Sequence, residues 1–324
     1  MTIFKPLDSD KNPLITVITI CLNQDDYVEE AIESVLAQSY KSWELIFIND
    51  GSTDQSGEIA KDYARRFPEK IKYLQHEGHQ NRGMSASRNL AIENAGGEFI
   101  TFLDSDDYFF PNKLEQQLHH LLSNPEAVMV CSRAQYWHSW TGNPEDRQGD
   151  FVQNFKIELD TLIEAPAIFM MFLSDKHATL CDVLVRKEIV DEVGGYEDSF
   201  WGMHEDMVFH SKICLKYPVY VSGDCWYRYR QHSESCTYVS FDGEHHREAR
   251  GIFLSWLKKY LLNEGLYIQE ATQLVESEIW INNNPKLAYY RDRQVLKKVL
   301  RDILKIVLPK RTNEWLKNQW RHKH

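Results

Sequence analysis

The stretch FITFLDSDD, at residues 99–107, joins a run of apolar and β-branched residues to three carboxylates within four positions. The run is typical of a buried strand. Asp104 and Asp106 follow it at i and i+2, and carboxylate oxygens placed there can hold a hard divalent cation while leaving positions open for a diphosphate. The stretch therefore predicts a cation site at the end of a strand, as in an enzyme that uses nucleotide sugars.

Two earlier strands support this interpretation, because an acidic turn alone also caps strands and starts helices. LIFI at residues 45–48 ends in NDGSTD at residues 49–54. ITVITICLN at residues 15–23 leads into a predicted helix from about residue 27 to 37. Alternation of strand and helix predicts an α/β fold with a mostly parallel central sheet, whose ligands bind at the carboxyl ends of the strands.

Several motifs in a fixed order resemble the amino-terminal half of the family 2 glycosyltransferases. They are EAIESVLAQSY (30–40), WELI (43–46), NDGSTD (49–54), NRGMSASRN (81–89), GEFI (97–100) and LDSDD (103–107). The resemblance is dense from residue 13 to about 135 and thinner to about 240. It implies the GT-A fold, a Rossmann-like sheet flanked by helices, and an inverting transfer of sugar from a nucleotide-diphosphate donor, with UDP favoured.

The resemblance also assigns roles to individual residues of the donor half. Asp104 would contact the donor ribose or the metal, and Asp106 would bind Mn²⁺ or Mg²⁺. Asp50 would accept a hydrogen bond from uracil N3–H, since a carboxylate is an acceptor. The remaining donor-binding candidates are Asn23, Arg88 and Ser105, with Arg88 expected in a loop that returns to the sheet or, alternatively, in a structural ion pair.

Three further candidates lie in the second half of the chain. Glu205 and Asp206 resemble the pair at the family's acceptor site, so Asp206 is expected to be the catalytic base, with Glu205 beside it and in contact with the acceptor. The alternative is two acids that only stabilise a helix N-terminus. Trp201 would stack on an acceptor sugar or belong to the core. His232 would be a third metal ligand or an ordinary hydrogen-bonded polar residue.

The chain divides into four predicted regions. Residues 1–12 form an N-terminal extension, 13–130 the donor half and 131–240 the acceptor half of a catalytic domain that spans 13–240, and 241–324 a helical C-terminal region. In the acceptor half, we expect a helix over residues 161–173, a strand over 183–185 and a helix that begins at Glu205.

Charge is unevenly distributed along the 324 residues. Residues 286–324 contain 12 Lys and Arg against 3 Asp and Glu, a net +9, whereas the other residues contain 25 against 45, a net −20. Residues 295–307 predict a basic amphipathic helix, and Trp315 and Trp320 follow it. This tail either contacts an anionic membrane or packs on the catalytic domain. Nucleic-acid binding is not expected from so acidic a chain.

Composition limits the location and the class of protein. The sequence has no apolar signal segment and no run of about 20 apolar residues, which favours a cytoplasmic protein, peripheral to the inner membrane face if the tail binds lipid. Its six cysteines form no Cys-x-x-Cys pair. The predicted function is transfer of a sugar to a hydroxyl of a glycan or lipid-linked acceptor. Alternatives are a catalytically silent scaffold or binding protein of the same fold and a nucleotidyltransferase that makes sugar nucleotides.

Overall fold

The computed structural model describes residues 12–174, 180–235 and 243–288. The strands are β1 (Ile15–Cys21), β2 (Trp43–Asn49), β3 (Ile71–Gln75), β4 (Phe99–Phe102), β5 (Tyr108–Phe109), β6 (Met129–Trp137), β7 (Phe151–Val152), β8 (Thr161–Ile163), β9 (Asp182–Arg186) and β10 (Val219–Arg230). The helices are α1 (Val28–Leu36), α2 (Ser56–Arg66), α3 (Met84–Glu93), α4 (Lys113–Ser123), α5 (Ala167–Ser174), α6 (Lys187–Glu192), α7 (Glu205–Cys214), α8 (Gly243–Asn263) and α9 (Gln269–Asn283).

The first four strands form the parallel part of one sheet, in the order β3-β2-β1-β4. β1 is buried along nearly its whole length because helices cover both faces of a parallel sheet, which selects continuous apolar runs. The register pairs Cys21 with Asn49 and Ile18 with Phe102. The loops that follow β1, β2 and β4 therefore leave the sheet at the same edge.

The second part of the sheet is mixed. β9 inserts antiparallel between β4 and β6, β10 runs parallel to β6, and β5 pairs antiparallel with β10. The expected α/β fold with a central sheet flanked by helices is confirmed, although its parallel pairing is confined to the β3-to-β4 side and the β6–β10 pair. The long strand β10 returns to the site edge, where Arg230 is its last residue.

One helix prediction in the acceptor half was wrong at its start. Residues 161–163 form strand β8, paired antiparallel with Val219–Val221 of β10, and the helix begins only at Ala167. Pro166 explains the boundary, because proline has no N–H to donate within a helix and is tolerated only in its first turn.

A buried polar network crosses the middle of the sheet. Lys113 of α4 lies 3.0 Å from Asp182 of β9 and also donates to Thr101 of β4, and both charged side chains are fully buried. Gln117 donates to the same Asp182 carboxylate at 2.8 Å. The network joins the parallel part of the sheet to the mixed part, since its members come from β4, α4 and β9.

The C-terminal region is helical, as predicted, over its described residues. α8 and α9 pack against each other, and Phe253, Leu257 and Val275 are buried in the core that also contains α5 and α7. No helix within the described ranges is both long and apolar enough to cross a bilayer. The predicted N-terminal extension, apart from residue 12, and the tail beyond residue 288, with Trp315 and Trp320, lie outside the described residues.

Candidate active site

The loops after β1 and β2 are held together at the site edge. Asn23 has a positive φ of 54°, and its Oδ1 accepts a hydrogen bond from the Thr53 backbone N–H at 2.8 Å. Its own N–H donates to Ser52 Oγ at 3.0 Å. Asn23 is exposed there, and its role in donor binding stays a prediction.

Asp50 is buried at the end of β2 and organises the loop before α3. Its two carboxylate oxygens accept the backbone N–H groups of Arg82, at 2.7 Å, and Gly83, at 3.0 Å. Gly83 has φ +84°, a conformation that side-chain-bearing residues rarely adopt. Each carboxylate oxygen has two lone pairs, so the contacts leave acceptor capacity for a base N–H. That second role stays a prediction.

Arg88 links the loop after β4 to the start of α7. Its Nη2 donates to Asp104 Oδ1 at 3.1 Å, and its Nη1 donates to Glu205 Oε1 at 2.9 Å. The expectation of a loop at Arg88 was wrong, because the residue lies inside α3 with its side chain buried. The structural ion pair, an alternative reading of the sequence, is therefore present, and it brings together carboxylates 101 positions apart in the chain.

Asp104 is surrounded by protein on most sides, yet part of its side chain is exposed to solvent. Desolvation raises the pKa of its carboxyl, with Arg88 opposing that rise, while the side chain keeps 43% of its surface accessible. The negative charges of Asp106 and Glu205 also raise the pKa of Asp104. The carboxylates after β4 and at the start of α7 therefore share one electrostatic environment.

Asp206 lies in the first turn of α7, directly after Glu205. Desolvation, followed by the negative charge of Glu205, raises its pKa to about 7, while Arg88 opposes the rise. Its Oδ1 accepts the Met207 N–H at 2.7 Å. A carboxylate with a pKa near neutrality is suited to take up a proton in catalysis.

His232 contacts Asp106 from the segment after β10. Its Nε2 lies 3.0 Å from Asp106 Oδ2, and its Nδ1 is buried without a hydrogen-bond partner among the described residues. The ring packs against Tyr27, with centroids 4.7 Å apart. His232 therefore lies beside Asp106, as expected. Its role as a metal ligand stays a prediction.

Asp107 and Arg230 brace this edge, and the sequence analysis assigned neither a role. The Asp107 carboxylate accepts from the Tyr227 hydroxyl at 2.6 Å and from the Arg230 N–H at 2.8 Å. Arg230 also donates from Nε to the Asp106 carbonyl at 2.6 Å and forms an ion pair with Glu30. No sequence pattern identified these contacts. The partners of Arg230 lie 123 to 200 positions away along the chain, and Tyr227 lies 120 positions from Asp107.

The predicted cation has suitable ligand chemistry available. Asp104 and Asp106 offer carboxylate oxygens, which Mn²⁺ and Mg²⁺ accept, and His232 Nε2 lies 3.0 Å from Asp106 Oδ2. In the described part of the chain, however, no three His, Cys, Asp or Glu side chains are already grouped as a metal site. The chemistry of these side chains fits a cation. In this structure, however, Asp104 is paired with Arg88 and Asp106 is paired with His232.

Ser105 and Trp201 differ in accessibility. Ser105 is buried and its side chain lies against the Cys21 thiol, so a donor contact there stays a prediction. Trp201 exposes 61% of its surface and lies over Gly83, where an added Cβ would come within 3.2 Å of its ring. Its exposure argues against the core alternative and leaves the ring available to a ligand.

Comparisons with known proteins agree with this architecture. Residues 16–194 match the family described as Glycosyl transferase family 2. An uncharacterized glycosyltransferase of Rickettsia typhi is 30% identical over 275 residues, which cover 83% of this chain and 79% of the relative. The putative teichuronic acid biosynthesis glycosyltransferase TuaG of Bacillus subtilis is 41% identical over 110 residues, 34% of this chain and 42% of TuaG.

Solved structures share the fold at low sequence identity. S. aureus TarS 1–349 in complex with UDP-GlcNAc superposes with a TM-score of 0.62 at 18% identity, covering 84% of this chain and 73% of TarS 1–349. The mannosyltransferase PcManGT of Pyrobaculum calidifontis, in complex with GDP-Man and Mn²⁺, gives 0.56 at 16% identity, covering 95% and 84%. The fold is GT-A, and the chain belongs to glycosyl transferase family 2.

Proposed function

We propose that this glycosyltransferase is an inverting enzyme that moves a sugar from a nucleotide-diphosphate donor to an acceptor hydroxyl, with Asp206 as the base. The observation that carries the proposal is the position of Asp206, a carboxylate with a pKa of about 7 within electrostatic reach of Asp104 and Arg88. A base must be ionised near the working pH and still basic enough to accept a proton.

The chain's own residues account for a single displacement. As the acceptor oxygen forms its bond to the anomeric carbon, its proton passes to the Asp206 carboxylate. The bond from that carbon to the diphosphate oxygen breaks, and its electron pair leaves with the diphosphate. Attack opposite the leaving group inverts the anomeric configuration. Glu205 holds Arg88 beside the reaction centre at 2.9 Å, and Trp201 offers a ring for the acceptor sugar.

A divalent cation belongs to the proposal. Asp104, Asp106 and His232 would hold Mn²⁺ or Mg²⁺, which would neutralise charge on the departing diphosphate. Arg88, now paired with Asp104, would keep its second contact to Glu205 while the cation is bound.

UDP is the proposed nucleotide, and a glycan or lipid-linked acceptor in polysaccharide or glycoconjugate synthesis is the proposed substrate. Asp50 supports UDP because its carboxylate keeps acceptor capacity for uracil N3–H. TarS is described with UDP-GlcNAc and TuaG as a teichuronic acid biosynthesis enzyme, whereas PcManGT is described with GDP-Man. The tail at residues 286–324 is proposed to make peripheral contact with an anionic membrane, on its cytoplasmic face.

The test is a screen of UDP-sugars for UDP release with Mn²⁺, Mg²⁺ or chelator, followed by NMR of the product's anomeric configuration. Asp206→Asn should lower the rate by about 10²–10⁴, while the matched control Asp62→Asn, on exposed α2, should leave it unchanged. Full activity in Asp206→Asn would exclude this base, and retention of configuration would exclude the single displacement. No turnover of any sugar nucleotide would favour the silent-scaffold alternative.

A nucleotidyltransferase, the remaining alternative, is disfavoured by the turn after β1. That chemistry usually needs a glycine-rich phosphate loop with a basic residue near the amino terminus, and residues 18–23 read ITICLN. Release of diphosphate from a nucleoside triphosphate and a sugar phosphate would restore that alternative.

A further inference from the structure

His210 occupies the same face of α7 as Asp206, one helical turn later. Residues at i and i+4 are neighbours on a helix surface. Helical side chains also lean toward the N-terminus, so a residue covers the turn that precedes it. His210 and Asp206 therefore share one face of α7 on consecutive turns.

The imidazole is buried and incompletely bonded. His210 exposes only 5% of its surface, and its Nε2 has no hydrogen-bond partner among the residues the structure describes. A buried polar atom without a partner destabilises the fold, because it has lost its hydrogen bonds to water. Such an atom in a folded protein calls for a specific explanation, often a water molecule or ligand that completes the site.

The surroundings keep the imidazole neutral. Desolvation, followed by the positive charge of Arg88, lowers the pKa of His210 to about 3. Arg88 acts electrostatically on both Asp206 and His210, which places both side chains near one guanidinium. A neutral imidazole has one N–H donor and one acceptor nitrogen, so it can donate to a carboxylate without forming an ion pair.

We propose that His210 is a positioning residue for Asp206: its neutral ring donates Nε2–H, through one water molecule, to the carboxylate that takes up the acceptor proton. A water bridge is the natural link where polar groups on one helix face stand too far apart for a direct bond. The bond favours the ionised carboxylate and orients its free oxygen. This inference rests on the proposed function of Asp206.

The first test uses the unaltered protein and needs no turnover. ¹⁵N NMR of the imidazoles, with the His210 signals assigned by their loss in His210→Gln, should show a neutral Nε2–H tautomer that does not ionise above about pH 4. An Nδ1–H tautomer, or protonation near the ordinary histidine pKa of about 6.5, would overturn the proposal.

The second test measures the Asp206 carboxyl by ¹³C NMR, assigned with Asp206→Asn. His210→Phe should raise the Asp206 pKa by about half a unit to one unit because one donor to the charged form is lost. His210→Gln, whose amide can still donate, should stay near the unaltered value. An Asp206 pKa that is unchanged in His210→Phe would overturn the proposal.

Other charges near Asp206 remain in place in both variants. They are Glu205 on the same helix, Arg88 of α3, Asp104 after β4 and the Tyr196 hydroxyl. A shift in His210→Phe that His210→Gln does not show is therefore due to the lost donor and not to these groups.

Kinetics then separate positioning from a packing role. His210→Phe should lower kcat about 3- to 10-fold with the donor KM unchanged, His210→Gln should restore most of it, and adding His210→Phe to Asp206→Asn should cost nothing further. A loss of kcat that is fully additive with Asp206→Asn would contradict the inference. If Asp206→Asn itself transfers sugar normally, the proposed base is wrong, whereas the NMR results still decide the contact.

Discussion

The pKa of Asp206 is raised because its surroundings differ from those of its neighbour Glu205. Glu205 and Asp206 are consecutive, but Glu205 is paired with Arg88 through a direct bond at 2.9 Å, whereas the Asp206 carboxylate, among the described residues, accepts a backbone N–H from Met207. The negative charge of Glu205 then adds to desolvation and raises the pKa of Asp206 to about 7. Two adjacent acids in different environments can thus take different roles.

The raised pKa predicts the pH dependence of turnover. A base is active only when ionised, so kcat/KM should fall about tenfold per pH unit below about 7 and level off above it. The stability of the fold changes in the opposite direction. Because the pKa of Asp206 is raised from 3.8 to about 7 by folding, the free energy of unfolding falls as pH rises between these two values. We expect Asp206→Asn to be more stable than the unaltered protein at pH 8 and to lose the acid limb of the profile.

The measurements are a pH profile of kcat/KM for the donor and thermal unfolding at pH 5 and pH 8. The difference in melting temperature between Asp206→Asn and the unaltered protein should be larger at pH 8. A flat rate profile from pH 5 to 8 in the unaltered enzyme would contradict an ionising base with this pKa.

At the scale of single residues, the sequence predicted which acids converge but not how they are held. Asp104, Asp106 and Asp206 were recognisable because each stands at the end of a strand or the start of a helix within a motif. Arg88 was placed in a loop, and its partner Glu205 lies 117 positions away. Such pairings depend on tertiary packing, which local patterns do not contain.

Among the elements, helix α8 packs against the turn that precedes Asp206. The His204 ring stacks on Phe253, with centroids 5.5 Å apart and 24° between planes, and Phe200 meets Trp256 edge-on at 6.0 Å. His204 has a positive φ of 66°, which a bulky residue adopts only where its surroundings impose it. Helix α8 therefore helps to hold the segment that leads into α7.

Phe253→Ala should loosen this turn. Removing a fully buried phenylalanine costs about 3–5 kcal/mol of stability. Because His204 loses its stacking partner, we expect kcat/KM for the acceptor to fall further than donor affinity at a temperature where the variant is folded. Ile252→Ala, at a position that is 57% exposed, is the matched control and should change neither property.

Differential scanning calorimetry measures the stability, titration of UDP measures the donor affinity, and steady-state kinetics at varied acceptor concentration measure kcat/KM. A Phe253→Ala protein with lowered melting temperature but unchanged acceptor kinetics would show that α8 contributes only stability. The sequence predicted helices in this region but not which surface they cover, because helical periodicity identifies an apolar face without naming its partner.

The same limit explains the helix predicted over residues 161–173. Apolar residues recur there at spacings that fit a helix, yet Thr161–Ile163 pairs as a strand with Val219–Val221 of β10. A short apolar run fits either structure until a neighbouring strand is known. The β1, β2 and β4 runs were recognised as strands because a motif follows each one.

At the scale of the whole molecule, charge separates the tail from the rest. A net +9 over residues 286–324 stands against −20 over the remaining residues, and the proposed acceptor site contributes acids to the negative part. Attraction of the tail to an anionic surface would leave the acidic remainder facing away from it, because like charges repel. The same charges would also attract the tail to its own catalytic domain.

Charge reversal distinguishes these two outcomes without shortening the chain. Lys297→Glu, Lys298→Glu, Arg301→Glu and Lys305→Glu together change four basic positions of the predicted helix. Each basic residue near an anionic leaflet contributes about 1 kcal/mol, so binding to phosphatidylserine-containing vesicles in co-sedimentation should fall by at least 100-fold. Reversal of four acids on exposed α2 and α9 surfaces, Glu58, Asp62, Glu270 and Glu276, to lysine is the matched control and should not weaken binding.

Salt and lipid composition distinguish membrane binding by the tail from packing of the tail on the catalytic domain. Binding driven by the tail should weaken as ionic strength rises, since the screening length falls from about 10 Å at 0.1 M to about 3 Å at 1 M, and it should be absent on neutral phosphatidylcholine vesicles. A tail that packs on the catalytic domain instead predicts equal, weak partitioning for both proteins and a lower melting temperature for the charge-reversed variant, as its four new acids would repel the acidic domain. Equal partitioning with that loss of stability would remove the membrane proposal and leave the transfer chemistry untouched.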